Sequence, residues 1–168
     1  MSTATARRFQ REELVGKYLT FALGNEEYSV PVLKVREIIK IMDITAVPQV
    51  PQYVKGVVNL RGKVIPVVDL RLKFGFPPQD YTERTCIIVV EVTLATGARM
   101  MSIIVDHVSE VLNVTAEEIE QTPQFGDEIQ TDYMKGIAKV RGHVKILLDL
   151  DRVLGVDGTI AMPAPHAA

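Results

Sequence analysis

Residues 53–75 read YVKGVVNLRGKVIPVVDLRLKFG, and residues 133–155 read YMKGIAKVRGHVKILLDLDRVLG. The stretches start 80 residues apart, and nine of their 23 aligned positions are identical: Tyr53/Tyr133, Lys55/Lys135, Gly56/Gly136, Arg61/Arg141, Gly62/Gly142, Val64/Val144, Asp69/Asp149, Leu70/Leu150 and Gly75/Gly155. Most other positions exchange one apolar residue for another. A stacked array needs three or more copies of a shorter unit. Two copies at this spacing instead predict one fold with two similar halves.

A second echo agrees. Residues 28–39 (YSVPVLKVREII) match residues 101–112 (MSIIVDHVSEVL) at Ser29/Ser102, Val32/Val105, Val35/Val108 and Glu37/Glu110, with an offset of 73. The seven-residue difference between the offsets belongs in a loop, where insertions are best tolerated.

Composition favours strands. The chain of 168 residues holds 23 Val and 14 Ile against 13 Leu, and β-branched side chains suit a pleated surface better than a helix. No apolar run is long enough to span a bilayer, and no charged and then apolar opening marks a signal peptide. A single cysteine, Cys86, fits a reducing cytosol. A net charge of −2, ten scattered Phe and Tyr and no Trp give no footprint for nucleic acid.

Along the chain, residues 1–16 are small and charged and read as a disordered arm. Residues 156–168 are rich in Ala and Pro and read as a flexible tail. Between them, 17–155 forms the folded unit, with the junction of its halves near 76–84. Lys17–Leu23 and Glu26–Val32 predict a hairpin turning at Gly24-Asn25. Leu33–Ile41 reads as one helical turn and then a strand. Gly56–Arg61 and Val64–Asp69 predict a second hairpin, with Gly62 supplying the positive φ of its turn. Pro66 predicts that its strand is an edge or carries a bulge. Asp69 and Asp149 read as N-caps of one-turn helices ended by Gly75 and Gly155. Thr85–Thr93 and Ala98–Val105 read as long buried strands, Thr115–Glu118 as a capping box, and Gln121–Thr131 as a polar loop. Short strands that must hide their edges predict closed barrels. The expected fold is mainly β, with two small five-stranded barrels packed together, one per half, and short helices.

Catalytic patterns are absent. His107, His143 and His166 share no metal-ligand spacing. Cys86 lies in an apolar strand without an activating neighbour. No phosphate loop occurs, and the carboxylate pairs Glu26/Glu27 and Glu117/Glu118 fall at a strand start and a helix first turn. No enzyme activity, cofactor or metal is expected.

The string GVVNLRGKVIPVVDLR, with YSVPVLKVREII before it and MSIIVDHVSEVLNVTAEEI after it, resembles the bacterial chemotaxis coupling proteins of the CheW family over about residues 17–155. The resemblance implies two SH3-like β-barrel subdomains. It implies a cytoplasmic adaptor, recruited to membrane receptor arrays, that couples chemoreceptors to the regulatory domain of the histidine kinase CheA. Other CheW copies are implied as further partners; membrane insertion and nucleic acid are not. Within that resemblance the expected match is CheW rather than the multidomain CheA or the receiver-fused CheV. A paralogue serving another receptor pathway, such as twitching motility, stays open. So does a β-barrel binding a small ligand.

The resemblance also implies a receptor-binding groove at Val35, Glu37, Lys55, Gly56, Asn59, Arg61, Cys86 and Ile87. Helix-in-groove binding needs apolar anchors with a few charged contacts. Val35, Cys86 and Ile87 are candidates for the floor. Arg61 is the residue with bidentate geometry that Lys would not reproduce. The bland reading makes Val35 and Ile87 core, Gly56 a close-approach glycine, and Glu37 the partner of a neighbouring Lys. Kinase-facing residues are not assignable from sequence.

Overall fold

The computed structural model describes residues 9–122 and 133–155. Among the described residues, eleven strands form two curled sheets. The first half of the chain supplies β1 (Gly16–Leu23), β2 (Glu26–Pro31), β3 (Val35–Lys40), β4 (Val54–Leu60) and β5 (Lys63–Asp69), followed by helix α1 (Leu70–Lys73). The second half supplies β6 (Cys86–Leu94), β7 (Gly97–Val105), β8 (His107–Val114), the two-residue β9 (Ile119–Glu120), β10 (Met134–Val140), β11 (His143–Leu148) and helix α2 (Leu150–Gly155).

The sheets are not one per half. The first runs β8-β1-β2-β11-β10-β9 and the second β3-β6-β7-β5-β4, so each takes strands from both halves. The repeat maps one sheet onto the other strand for strand. β1, β2, β3, β4 and β5 correspond to β6, β7, β8, β10 and β11. Each sheet therefore contains one parallel junction, at β2/β11 in one and at β7/β5 in the other. Ser29 opposite Leu147 and Ser102 opposite Val67 are repeat-equivalent pairs. Five strands per barrel holds for the second sheet. In the first, β9 adds a sixth.

Local chemistry explains most elements. Arg61-Gly62 and Arg141-Gly142 are two-residue turns with φ of 52° and 84°, and 54° and 80°. That geometry matches the twist of the flanking strands. Asp69 caps α1, its carboxylate accepting from the Arg71 and Leu72 amides at 2.9 and 3.4 Å. Asp149 accepts likewise from the Arg152 amide at 3.3 Å. Thr115 and Glu118 form the expected capping box over a single 3-10 turn.

Several expectations are corrected. β5 is an interior strand, not an edge. Pro66 sits there because parallel pairing with β7 begins only at Val67, so its missing N–H faces no ladder. The irregularity lies on the partner β4, between Val54 and Gly56. Gly75 has φ 84°, as a helix-ending glycine should. Gly155 instead closes α2 as a helical residue, and a Cβ there would meet the Leu94 side chain at 2.6 Å. Its role is close packing. Residues 9–16 are not a loose arm. Leu14 is buried, Phe9 packs beside it, and the Arg11 Nε–H donates to Ile119 O at 2.8 Å. The proposed tail, most of the polar loop and residues 1–8 lie outside the described residues.

Three apolar clusters carry the packing of the described residues. One fills each barrel, and the largest lies between them, including Phe21, Leu23, Ile88, Met101, Leu148 and Leu150. Phe21, Tyr28, Phe74 and Tyr133 form a chain of ring contacts through it, with centroids 5.7–6.1 Å apart. The Lys73 ammonium lies over the equivalent rings of Tyr53 and Tyr133, at 4.2 and 5.7 Å. Two ion pairs tie the sheets further. Arg71 on α1 binds Asp106 at 2.7 Å, and Asp151 on α2 is bound by Lys34 at 3.4 Å. Arg71 and Asp151 are repeat-equivalent, so the charge sense is reversed between halves. Each carboxylate also accepts a strand or turn amide from the opposite sheet, Gly24 N at 2.8 Å and Thr93 N at 2.9 Å.

Candidate functional site

β3 and β4 are the two edges of the second sheet, and the curl brings them together. Glu37 on β3 and Arg61 at the β4–β5 turn close this seam. Arg61 Nη1 and Nη2 donate to Glu37 Oε1 and Oε2 at 2.8 and 2.5 Å. Such a fork-to-fork pair fixes orientation as well as charge. The hydrogen bonds from Arg61 hold the Glu37 carboxyl below its ordinary range. Below the pair, Thr45 and Val57 exchange two backbone hydrogen bonds of 2.9 Å and extend the closure.

The turn presents Arg61 outward. Its positive φ follows from the two-residue loop, and Asn59 Oδ1 accepts the Gly62 amide at 2.9 Å. The guanidinium is 71% exposed while its partner Glu37 is 28% exposed. Ile38 and Val64, on the strands next to the pair, are exposed apolar residues at 44% and 67%. The seam is therefore a charged fork, with exposed apolar residues nearby in sequence on β3 and β5.

Of the eight residues named from sequence, Glu37 and Arg61 are joined directly, and Asn59 holds the turn that carries Arg61. Lys55 lies half-buried at the β4 irregularity. Val35 and Cys86 are half-buried and pack against the central cluster, and the Cys86 thiol donates to Arg84 O at 3.3 Å. Two residues do not present a side chain. Ile87 is 0% exposed inside the second barrel, so it supports the surface from beneath. Gly56 is buried with φ 139°, and a Cβ would lie 1.9 Å from Thr45 O. Glycine is required there by the closeness of the seam backbone. Sequence reading did not find Ile38 and Val64. Their signal was available, since each follows a candidate or turn residue in an alternating strand.

The repeat supplies an internal comparison. Arg141, at the β10–β11 turn, approaches Glu110 on β8 at 3.6 Å, closing the first barrel as Arg61 and Glu37 close the second. Here Lys139 replaces Asn59 and pairs with Glu120 at 2.9 Å. Lys145 marks a larger departure. It occupies the position of core residue Ile65, and both are 3% exposed. Its ammonium donates to Glu27, which lowers the Glu27 pKa, and Ser109 donates to the same carboxylate at 3.3 Å. Elsewhere, Tyr81 donates to Asp69 Oδ2 at 2.9 Å, and burial first and Asp69 second push its phenol well above the ordinary range. Among the described residues, no group of three or more His, Cys, Asp or Glu is arranged to hold a metal.

Comparison with known proteins places this architecture. Residues 17–157 match the CheW-like domain model. Chemotaxis protein CheW of Klebsiella aerogenes is 39% identical over 151 residues, covering 90% of this chain and 89% of that protein. A probable chemotaxis protein CheW of Rhizobium etli is 35% identical, covering 79% of this chain and 83% of its own. The crystal structure of scaffolding protein TtCheW from Thermoanaerobacter tengcongensis superposes with a TM-score of 0.75 at 33% identity, covering 86% of this chain and 95% of that one. With its two exchanged β-barrels and the repeated Arg-Gly turns, this chain belongs to the CheW family.

Proposed function

We propose that the chain is a non-catalytic chemotaxis adaptor that couples transmembrane chemoreceptors to the histidine kinase CheA, and that the Arg61–Glu37 seam is its receptor-binding face. The observation that carries this reading is the exposed Arg61 fork, presented by the Arg61-Gly62 turn, with exposed Ile38 and Val64 on the adjoining strands. An antiparallel helical hairpin, as at a receptor tip, offers apolar side chains at helical spacing with polar groups beside them, which is what such a seam accepts. Both barrel interiors are filled by buried aliphatic side chains, which weighs against the small-ligand reading. No helix among the described residues is long and apolar enough to cross a membrane. Recruitment to a membrane array then rests on the receptor contact.

Reconstitution tests the reading. Purified chain, CheA and a receptor cytoplasmic fragment are combined pairwise and together, and CheA autophosphorylation is followed. The reading expects binding to each partner and kinase stimulation only with all three present. A chain that binds neither partner removes the adaptor reading.

A further inference from the structure

The repeat gives the chain two seams of one design. At the second-barrel seam Arg61 binds Glu37, and Ile38 and Val64 are exposed on the adjoining strands. At the first-barrel seam Arg141 approaches Glu110, and the equivalent apolar residues, Val111 and Val144, are exposed at 56% and 55%. Arg141 is as open as Arg61, at 74%. A partner that recognised only an arginine at a turn and its apolar neighbours would take either seam. The difference lies beside the arginine. Glu110 and Val144 share a cleft with Glu26, Glu27, His143 and Lys145. The repeat equivalents of Glu27 and Lys145 are Met100 and Ile65, which belong to the apolar cluster of the second barrel. One place in the design is therefore apolar in the second barrel and ionic in the first. The buried Lys145 ammonium donates to one oxygen of Glu27, and Ser109 donates to the other at 3.3 Å. The Glu27 side chain stays 32% exposed, so water still reaches it from the cleft. A helix laid across this seam by its apolar face would remove that water and offer the carboxylate nothing in return. A charge that the wrong partner cannot satisfy is one way in which proteins tell like surfaces apart.

We propose that the Glu27–Lys145 pair, fixed by Ser109, is a specificity determinant: it keeps the helical tip of a receptor off the first-barrel seam and leaves the second-barrel seam to receive it. This rests on the receptor-binding reading of the Arg61–Glu37 seam and names the residues that make two similar surfaces unequal. Glu27 and Lys145 act by exclusion, not by contact with the receptor. Replacing them by the residues of the second barrel should turn the first-barrel seam into a second receptor site.

The test reads stoichiometry, because a gained site cannot come from damage to the fold. A receptor cytoplasmic fragment is titrated by calorimetry into the full wild-type chain and into the Glu27→Met, Lys145→Ile double variant, with melts alongside. One fragment per wild-type chain and two per variant chain is the expected result. Adding Arg141→Glu to the double variant should remove the second site alone. Adding Arg61→Glu instead should leave one site, whereas Arg61→Glu in the wild-type background leaves none. If the double variant melts well below wild type, Glu27→Gln with Lys145→Met, which removes both charges at similar volume, is titrated in its place under the same criteria. A folded variant that still takes one fragment overturns the proposal and leaves the seam reading intact. Wild type that already takes two fragments also overturns it, since nothing is then excluded. Wild type that takes none overturns the seam reading and this proposal with it.

Discussion

Replacing Gly56 by Ala separates a structural glycine from a contact residue. The added Cβ would lie 1.9 Å from Thr45 O and 2.7 Å from Thr45 C, both backbone atoms. No rotamer relieves that contact, so the segment at Thr45 must move. The movement breaks the two 2.9 Å hydrogen bonds between Thr45 and Val57, at about 1 kcal/mol each. A φ of 139° is also foreign to alanine, which adds roughly 1–3 kcal/mol. The sum is about 3–5 kcal/mol, or a melting temperature lower by about 10 °C for a domain of this size. Gly136→Ala is the internal control. Gly136 is not in the left-handed region, and its nearest neighbours stand at 3.1 Å, one of them the flexible end of Leu14. It should lose only about 1 kcal/mol. Thermal and urea melts of both variants measure the contrast. A Gly56→Ala protein that melts within a few degrees of wild type would refute the close-approach argument and return Gly56 to the list of contact residues.

Other consequences follow from the same geometry. Arg61 and Lys145 depress the pKa values of Glu37 and Glu27, both ordinarily 4.5. Depressed folded-state values mean that the unfolded chain takes up protons first, so this stability is present above about pH 4.5 and lost as pH falls through the folded values. Urea midpoints measured from pH 7 downward should fall below that point, and Glu27→Gln should flatten the decline. Asp69→Ala removes the α1 cap and the acceptor of Tyr81, and should cost about 1–3 kcal/mol. In that variant the Tyr81 phenol should titrate at lower pH in alkaline absorbance, read as the difference from Tyr81→Phe. Lys145→Ile combined with Glu27→Met copies the equivalent apolar residues Ile65 and Met100, and should be neutral or stabilising by about 1–4 kcal/mol in chemical denaturation. A large loss there would show that the ammonium, not the volume, is needed.

Much of the fold was legible because the repeat is local. The Arg-Gly turns, the Asp69 and Asp149 caps and the short strands each follow from a few adjacent residues. The exchange of strands between barrels was not legible. The two halves share one apolar pattern, so nothing local tells β2 to pair with β11 rather than β5. Pro66 was misread for the same reason, since its tolerance depends on where a distant strand begins to pair. Residues 9–14 look polar because only Phe9 and Leu14 are apolar, and a 3-10 turn has no long stripe to display. At the candidate site, Arg61, Glu37 and Asn59 were named before their contacts were visible. Ile87 was named with them because a resemblance carries over a position and not the burial of its side chain, and a strand apolar on both faces gives no sign of which residues reach the surface.

The central claim concerns Arg61 as a functional rather than a structural residue, and its twin makes the test direct. Arg61→Glu and Arg141→Glu each place a carboxylate beside a partner glutamate at an equivalent, exposed turn. Both should cost less than about 1 kcal/mol, as exposed pairs do. Affinity for a receptor cytoplasmic fragment is then measured for wild type and both variants, with melts alongside. The account predicts that Arg61→Glu loses receptor binding at least tenfold while Arg141→Glu retains it and both keep their CheA affinity. Equal loss in the two variants, or none in Arg61→Glu, would contradict it.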